Sequence, residues 1–309
     1  MSQGEVWTIK SLLDWTVGFL QKKGSDSPRL DAEILLAHAL GKSRVELYVS
    51  YDAVPDDEAR GKFRELVRRR GLGEPVAYLV GNKEFYSLRF DVDKRALIPR
   101  PETEQLVLEI VEYVKKRANA FGKSGADELA SADALRVCEV GVGSGCLSIA
   151  LAKHVPTARI LALDISEDAL DVARANAARH SVEDRVEFLR SDLFDALDAA
   201  SPDFAPPYDV IVSNPPYVSQ AEYAALAPSV REFEPALALV GGPTGAELAN
   251  KLVARAPDYL ASGGKLYLEL SPTTVEAVAS QIEQDACWRD SRVFSDLARA
   301  PRYIEATRQ

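Results

Sequence analysis

Apolar residues recur at helical spacing along the first 75 residues of the chain. Side chains three and four positions apart lie on the same side of a helix, so these residues form faces that neighbouring helices can bury. Gly24 and Gly41 stand where helix C-caps are expected, and Ser43 and Asp56 stand where N-caps are expected. The pattern predicts a small helical bundle over residues 1–75, with one face formed by Leu12, Leu13, Thr16, Val17 and Leu20 and another by Leu30, Ile34, Leu35 and Ala39.

The last predicted helix of this bundle carries a run of basic residues, Arg64, Arg68, Arg69 and Arg70. A run of like charges on a helix is commonly a face in contact with solvent. The alternative is a patch that binds a partner, and the sequence leaves both interpretations open.

The period of the pattern changes after residue 75. Residues 84–92 are rich in aromatic and other strand-forming residues, which predicts a β-hairpin linker over residues 76–98. Leu97–Glu104 then reads Leu-Ile-Pro-Arg-Pro-Glu-Thr-Glu, and a helix is predicted from Leu106 to Val114. Ala118–Asp133 is rich in Ala, Gly, Ser and Asp, has little to bury, and is predicted to be a mobile surface loop.

Strands and helices alternate over the rest of the chain. This alternation predicts an α/β domain over residues 99–309, with a mostly parallel sheet that carries helices on both faces. Ligands bind such a sheet at the carboxyl ends of its strands. The predicted strands are Leu135–Val140, Arg159–Leu163, Val186–Leu189, Asp209–Val212, Lys265–Leu270, Trp288–Phe294 and Arg302–Ala306, and the predicted helices are Cys146–His154, Ala169–Ala178, Ala246–Leu260 and Thr274–Glu283.

Composition is that of a soluble globular protein of two domains, with 309 residues, of which 47% are hydrophobic and 27% charged. The formal net charge of −10 argues against a protein that mainly binds phosphate backbone, and favours a protein or small-molecule substrate. Cysteines and histidines lack metal or disulfide spacing, and no apolar run approaches the length of a membrane span. The first residues resemble neither a signal nor a transit peptide, so a cytosolic protein without a metal is expected.

A glycine-rich turn follows the first predicted strand of the α/β domain, where residues 139–145 read Glu-Val-Gly-Val-Gly-Ser-Gly. Glycines there let the backbone approach a ligand closely, although they also suit tight packing alone. The spacing lacks the wider final gap of a dinucleotide fingerprint, and the acidic residue before the glycines suits a cation such as the amino group of S-adenosylmethionine. The predicted cofactor contacts are Glu139, Gly141, Val142, Gly143, Ser144 and Gly145.

Two more acidic residues end the next predicted strands. Asp164, followed by Ile165, lies about 20 residues beyond the glycines, a position from which a carboxylate reaches ribose hydroxyls. Asp192 could accept from an adenine amino group while Leu193 or Phe194 covers the ring, although an aspartate at a helix start is the alternative. Together the three loops outline an adenosyl pocket in the order found in class I methyltransferases.

Asn-Pro-Pro-Tyr, residues 214–217, stops an apolar strand abruptly. The nitrogen of a planar amide is a poor nucleophile because its lone pair is delocalised. Acceptors aimed at its hydrogens, here the side-chain oxygen of Asn214 and the carbonyl of Pro215, would draw the nitrogen towards tetrahedral geometry. Pro216 would stiffen the turn and Tyr217 would lie against the planar group. The alternative is a Pro-Pro loop that only closes the strand.

Through these motifs the chain resembles the HemK/PrmC family of protein glutamine methyltransferases over nearly its whole length. The resemblance is carried by Tyr78–Phe85, Leu97–Glu104, the Asn-Pro-Pro-Tyr tetrapeptide and Glu234–Gly242. It implies a class I, Rossmann-like methyltransferase with S-adenosylmethionine as cofactor, and an N-terminal bundle that holds the substrate. That substrate would be the glutamine of the Gly-Gly-Gln motif in class 1 peptide chain release factors. The implied catalytic and substrate-binding residues are Asn214, Pro215, Pro216 and Tyr217, with Arg100 and Glu234 as further substrate contacts and Asn214, Ile165 and Leu193 as further cofactor contacts.

Alternatives of other classes remain open. An adenine-N6 DNA methyltransferase would share the Asn-Pro-Pro-Tyr chemistry but must flip its base, and would need a basic DNA-reading domain. A ribosomal-protein glutamine methyltransferase follows the same logic, and an inactive binding module is the remaining alternative. A monomer without membrane or nucleic-acid partners is expected. Departures from the family's pattern stand at Glu139, at Ser271–Thr274 within the segment Glu269–Thr274, and at Ala298–Arg302 within the segment Asp296–Arg302, and they are expected not to touch the methyl-transfer site.

Overall fold

The computed structural model describes residues 6–120 and 134–309, and the chain groups into two compact units. Among the described residues, unit 1 consists of residues 6–82 with 227–233, and unit 2 consists of residues 83–120 and 134–226 with 234–309. The domain boundaries at residues 75 and 98 stay a prediction.

Unit 1 is helical, and its helices begin and end at the residues that their caps dictate. Ser43 and Glu46 form a reciprocal capping box, and the Asp56 side chain accepts from the Ala59 N–H at 2.7 Å. Gly41 ends its helix at φ 62°, a left-handed conformation that glycine adopts without strain. The helices are α1 (Ile9–Lys22), α2 (Pro28–Leu40), α3 (Arg44–Val49), α4 (Asp57–Gly71), α5 (Val76–Val80) and, much later in the chain, α10 (Pro228–Arg231).

Three of the four arginines in the basic run of α4 take part in ion pairs within unit 1. Arg68 contacts Glu65 at 2.7 Å, Arg70 contacts Asp31 at 2.8 Å, and Arg69 pairs with Glu74. These pairs occupy much of the run's hydrogen-bonding capacity, so the run is partly a structural element of the bundle.

Helix α5 corrects the prediction of β-structure immediately after residue 75. Pro75 precedes it with a fixed φ of −60°, and Gly81 ends it at φ 73°. These two residues frame a short helix despite the strand-forming composition of Val76–Val80. The predicted hairpin follows as β1 (Asn82–Phe85) and β2 (Leu88–Asp91), whose turn residues Tyr86 and Ser87 have positive φ.

Unit 2 is built on a seven-stranded sheet in the order β10-β11-β9-β6-β3-β4-β5. Strands β9, β6, β3, β4 and β5 are parallel, whereas β11 and β10 are antiparallel to their neighbours. The strands are β3 (Leu135–Val140), β4 (Ala158–Asp164), β5 (Val186–Arg190), β6 (Tyr208–Ser213), β9 (Leu260–Glu269), β10 (Trp288–Ser295) and β11 (Pro301–Arg308). A separate pair joins β7 (Val218–Ser219) to β8 (Val240–Gly242).

The helices of unit 2 are α6 (Glu104–Ala120), α7 (Cys146–His154), α8 (Glu167–Arg179), α9 (Gln220–Ala225), α11 (Glu247–Arg255) and α12 (Val275–Gln284). Helix α6 includes the first three residues of the stretch predicted as a loop, and residues 121–133 lie outside the described residues. Helix α11 ends five residues earlier than predicted because Pro257 cannot continue it, and β9 begins at Leu260.

Side chains on both faces of the central strands are buried. Cys138 and Val140 belong to one core together with residues of α11 and α12. Their alternate neighbour Val137 points to the opposite face and is equally inaccessible. The strands therefore have covered faces on both sides, and the predicted α/β fold with a helical N-terminal region is confirmed. No helix in the described part of the chain is both long and apolar enough to cross a membrane.

Candidate functional site

The register of the parallel strands sets the loops of the candidate site side by side. Val140 is paired with Leu163 on one side and with Ser213 on the other, and Ser213 is paired with Leu268. The residue after each of these lies at the same carboxyl edge of the sheet. That edge row consists of Gly141, Asp164, Asn214 and Glu269.

The glycine-rich loop turns tightly between β3 and α7. The N–H groups of Gly141 and Val142 both donate to the Leu163 carbonyl, at 2.8 and 3.0 Å, which ties the loop to β4. Gly143 has φ 55°, in the left-handed region that favours glycine. The loop thereby presents backbone, with little side chain, to the space above the sheet edge.

Asp164 fastens two loops to each other. Its Oδ2 accepts from the Gly143 N–H and its Oδ1 accepts from the Ser166 N–H, both at 2.9 Å. Burial raises the pKa of this carboxyl, while the backbone hydrogen bonds act in the opposite direction. Ser166 separately caps α8 by accepting from the Ala169 N–H at 3.2 Å. Ser166 therefore caps α8 while Asp164 faces the site.

Glu139 is a buried carboxyl at the base of the glycine-rich loop, 3% exposed. Its Oε2 accepts from the Ser148 N–H at 2.9 Å and from the Ser148 hydroxyl. Burial raises the pKa of Glu139 to about 8, against the lowering effect of these hydrogen bonds. Both bonds use Oε2, so Oε1 is the oxygen that a cationic group in the site would contact.

The loop after β5 brings only two of its three candidate residues, Asp192, Leu193 and Phe194, to the site. Asp192 and Leu193 line the cavity described below, and Leu193 has a positive φ of 50°. Phe194 is buried in the core against the Tyr259 ring, with 4.7 Å between the ring centroids. Leu193, rather than Phe194, is therefore the side chain that could cover a ligand ring.

The Asn-Pro-Pro-Tyr loop is held from two directions. The Ser213 hydroxyl donates to the Val140 carbonyl at 2.6 Å, and Asn214 Nδ2 donates to Thr103 Oγ1 at 3.0 Å. Tyr217 packs against the core of unit 2, and burial raises the pKa of its phenol to about 12. Tyr217 is therefore a neutral side chain at physiological pH.

A second glycine segment supports this loop from β8. A Cβ added at Gly241 would fall far inside van der Waals distance of the carbonyl oxygens of Pro216 and Gly245. The Val218 N–H also donates to the Leu239 carbonyl at 2.9 Å. The position of the Pro216 carbonyl thus depends on the absence of a side chain at residue 241.

These loops surround a cavity of about 590 Å³, within the usual size range of small-molecule sites. Four of the predicted site residues, Gly145, Pro215, Tyr217 and Glu234, lie near it without lining it. The predicted residues that line it are Glu139, Gly141, Val142, Gly143, Ser144, Asp164, Ile165, Asp192, Leu193, Asn214, Pro216 and Arg100. In the described residues no cluster of His, Cys, Asp or Glu is suited to hold a metal ion.

Arg100 and Glu234 are paired with each other. Arg100 Nη2 contacts Glu234 Oε1 at 2.6 Å, and the Ile98 N–H donates to Glu234 Oε2 at 3.2 Å. Glu234 is buried, whereas Arg100 reaches the cavity. Glu234 therefore orients Arg100, and a direct substrate contact by either residue stays a prediction.

Comparison with known proteins identifies the chain's relatives. Two family models match, the PrmC N-terminal domain over residues 11–81 and the methyltransferase small domain over residues 126–233. A release factor glutamine methyltransferase of Rhodopirellula baltica is 48% identical over 94% of this chain and 93% of its own length. The protein of the same name from Chlorobaculum tepidum is 41% identical over the full length of both. The chain belongs to the release factor glutamine methyltransferase family.

Solved structures agree on the fold. The hMettl16 catalytic domain, determined in complex with MAT2A 3′UTR hairpin 1, has a TM-score of 0.53 at 15% identity, covering 79% of this chain and 80% of that one. Likeness at this identity concerns the fold alone, which is the methyltransferase α/β architecture.

Two residues of this family member belong to the site although the sequence assigned them no role. Thr103 lines the cavity and receives the Asn214 hydrogen bond, and Glu269 stands in the edge row. A charged residue at the end of an apolar strand is a signal that could have identified Glu269, whereas Thr103 is separated from Asn214 by 111 residues and has no such signal.

Proposed function

We propose that this chain transfers a methyl group from S-adenosylmethionine to the side-chain amide nitrogen of glutamine in the Gly-Gly-Gln motif of class 1 peptide chain release factors. The observation that carries the proposal is the convergence of the glycine-rich loop, Asp164 and Asn214 on one cavity. The names of relatives at 41–48% identity support the release factor as substrate.

The residues around the cavity fit S-adenosylmethionine. Glu139 is a buried carboxyl suited to the amino group, Asp164 retains acceptor capacity for ribose hydroxyls, and Leu193 offers an apolar surface for the adenine. When bound, this cofactor supplies an electrophilic methyl group on sulfur. Transfer forms a nitrogen–carbon bond, breaks the methyl–sulfur bond and releases one proton from nitrogen.

The Asn-Pro-Pro-Tyr loop would act on the attacking nitrogen. Oδ1 of Asn214 would accept a hydrogen bond from the amide NH₂, favouring the geometry and the positive charge that develop during transfer. The carbonyl of Pro215, a residue that does not line the cavity, stays a prediction as the second acceptor. Fixed acceptors of this kind need no reorganisation when the charge appears. The remaining acceleration comes from alignment of nitrogen with the methyl group.

The proposal is tested by methyl transfer from labelled S-adenosylmethionine to a purified class 1 release factor. A copy of the factor with the Gly-Gly-Gln glutamine changed to alanine is the control, with ribosomal protein and duplex DNA assayed alongside. Label on the native factor and none on the altered copy is expected. Label on ribosomal protein or DNA instead would contradict the proposed substrate.

Cofactor binding is expected to release protons from Glu139. Its pKa of about 8 keeps the unliganded carboxyl largely protonated at neutral pH, and an ammonium group beside it would favour the ionised form. The affinity for the cofactor should therefore rise with pH, by up to about tenfold per pH unit at pH values below the pKa of Glu139. Calorimetry in buffers of different ionisation enthalpy should show this proton release, and Glu139→Gln should abolish it. Equal proton release by the variant would show that another group titrates.

The contact between Gly241 and the catalytic loop gives a second prediction. Gly241→Ala must displace the Pro216 carbonyl, and a shift of about 1 Å in a reacting geometry lowers the rate by about a hundredfold. The control is Gly61→Ala, because a Cβ at Gly61 meets nothing within 4 Å. Single-turnover rates measure both variants, and wild-type transfer by Gly241→Ala would show that the loop tolerates the displacement.

A further inference from the structure

Glu269 is a buried carboxyl for which the proposed mechanism has no use. It is the last residue of β9 and is 1% exposed. Among the described residues, neither of its carboxyl oxygens has a partner that meets the usual distance and angle of a hydrogen bond. A buried acceptor without a hydrogen-bond partner lowers the stability of the folded protein, so the presence of Glu269 beside the cavity indicates a functional role.

The register places Glu269 against the catalytic loop. Leu268 is paired with Ser213, so Glu269 follows at the level of Asn214 on the neighbouring strand. On its other side Glu269 is paired with Tyr303, whose hydroxyl donates to the Glu102 carbonyl at 2.7 Å. That bond fixes the short 3₁₀ turn Pro101–Thr103 over the same edge.

Thr103 connects the two strand ends. Its side chain is buried, lines the cavity and accepts from Asn214 Nδ2 at 3.0 Å. A hydroxyl that accepts one hydrogen bond still has one proton to donate. Thr103 lies close enough to Glu269 to act on the pKa of that carboxyl, lowering it against the larger, raising effect of burial. Glu269 is therefore the acceptor to which the Thr103 hydroxyl can donate its proton in a hydrogen bond.

The direction of these bonds decides what Asn214 offers to a substrate. A side-chain amide carries its donor and its acceptor on opposite sides of one plane. With Nδ2 turned to Thr103, Oδ1 is left for the cavity. The flipped amide would present an NH₂ group to the NH₂ group of a substrate, where two donors cannot bond.

We propose that Thr103 and Glu269 are positioning residues that hold the Asn214 amide with Oδ1 towards the substrate nitrogen. Glu269 accepts the Thr103 hydroxyl proton, and this leaves the Thr103 oxygen as acceptor for Asn214. The proposal rests on the proposed function, because it assigns Oδ1 the substrate amide as its partner. Neither residue donates to or accepts from that amide itself.

The network should respond to the protonation of Glu269. Its pKa is raised to about 7 by burial, so the carboxyl is an acceptor above that pH and carries a proton of its own below it. Arg302 and Arg100 favour the ionised form, and Glu102 opposes it. The other titratable groups coupled to it are Tyr217, Tyr303 and Cys146, and burial raises the pKa of each of these three. Turnover at saturating cofactor should therefore rise with pH through about 7.

Three variants test this at saturating S-adenosylmethionine, which separates the effect from cofactor affinity. Thr103→Val keeps the side-chain shape but removes both hydrogen bonds, and kcat should fall at least about tenfold with an unchanged dissociation constant for the cofactor. Thr103→Ser retains the hydroxyl and should restore kcat to within about threefold of wild type. Glu269→Gln should lower kcat and flatten the pH profile near 7. Full activity of Thr103→Val, or equal losses in Thr103→Ser, would overturn the proposal.

A measurement without substrate keeps the two proposals separable. The side-chain NH₂ signal of Asn214, assigned by its loss in Asn214→Ala, should exchange slowly with solvent in the wild-type protein. Exchange should become at least about tenfold faster in Thr103→Val, because the bond that protects it is lost. Unchanged exchange would overturn the network. Altered exchange in a protein that fails to methylate release factor would instead overturn only the proposed substrate.

Discussion

Replacing Asn214 with alanine is expected to lower kcat for release factor methylation on the order of 10³-fold, the loss typical when a preorganised group at a reacting centre is removed. Asn214 lines the cavity at the end of β6, and its Nδ2 is already bound to Thr103. Alanine removes the oxygen that would accept from the substrate amide. Since that interaction strengthens as the nitrogen rehybridises, its loss should appear in kcat more than in binding.

The same variant should bind S-adenosylmethionine nearly as well as the wild-type protein. Glu139, Gly143 and Asp164 belong to other loops, and the hydrogen bonds that hold them do not involve Asn214. Single-turnover transfer and calorimetric titration of the cofactor measure the two effects on one preparation, with thermal unfolding as a check of the fold. Near-normal turnover would show that the acceptor mechanism is wrong, and a parallel loss of cofactor binding would make Asn214 a cofactor ligand.

The positions of the site loops could be predicted because they depend on local signals. Leu135–Val140 is an apolar run ended by glycines, and Cys146–His154 is a helix that begins after them. In a parallel sheet the ends of such strands share an edge, which predicts Asp164 and Asn214 beside the glycines without knowledge of the strand register. These predictions needed only strand direction and strand ends.

Features that depend on distant partners could not be predicted. Thr103 reaches Asn214 only because the Pro101–Thr103 turn is fixed to Tyr303, near the end of the chain. Phe194 was a candidate for the adenine surface, and the core around Tyr259 buries it instead. The short helix Val76–Val80 was missed because its flanking proline and glycine outweigh the strand preference of its residues. In each case a tertiary contact or a cap overrides composition.

Because the proposal assigns transfer to the Asn214 loop and cofactor binding to the Asp164 loop, a variant of Asp164 should lose cofactor affinity more than kcat. Asp164→Ala removes two charge-assisted hydrogen bonds, to the N–H groups of Gly143 and Ser166, and the acceptor intended for the ribose. At about 2 kcal/mol for each hydrogen bond that the carboxylate would accept from the ribose hydroxyls, the loss of two such bonds should raise the dissociation constant for S-adenosylmethionine about 10³-fold. Once the cofactor is saturating, kcat should fall less than about tenfold, because Asn214 remains in place.

A nearby aspartate provides the matched control for this prediction. Asp168 lies in the first turn of α8, is exposed and does not line the cavity, so Asp168→Ala should change cofactor affinity by less than about twofold. The cofactor affinity of Asp164→Asn should lie between those of Asp164→Ala and Asp168→Ala, since one oxygen still accepts while the new NH₂ group opposes a backbone N–H. Calorimetric titration of the three variants orders them. If Asp164→Ala bound the cofactor normally but lost kcat, the two loops would have to exchange roles: Asp164 would serve the transfer step, and the cofactor would be held chiefly by Glu139 and the glycine-rich loop.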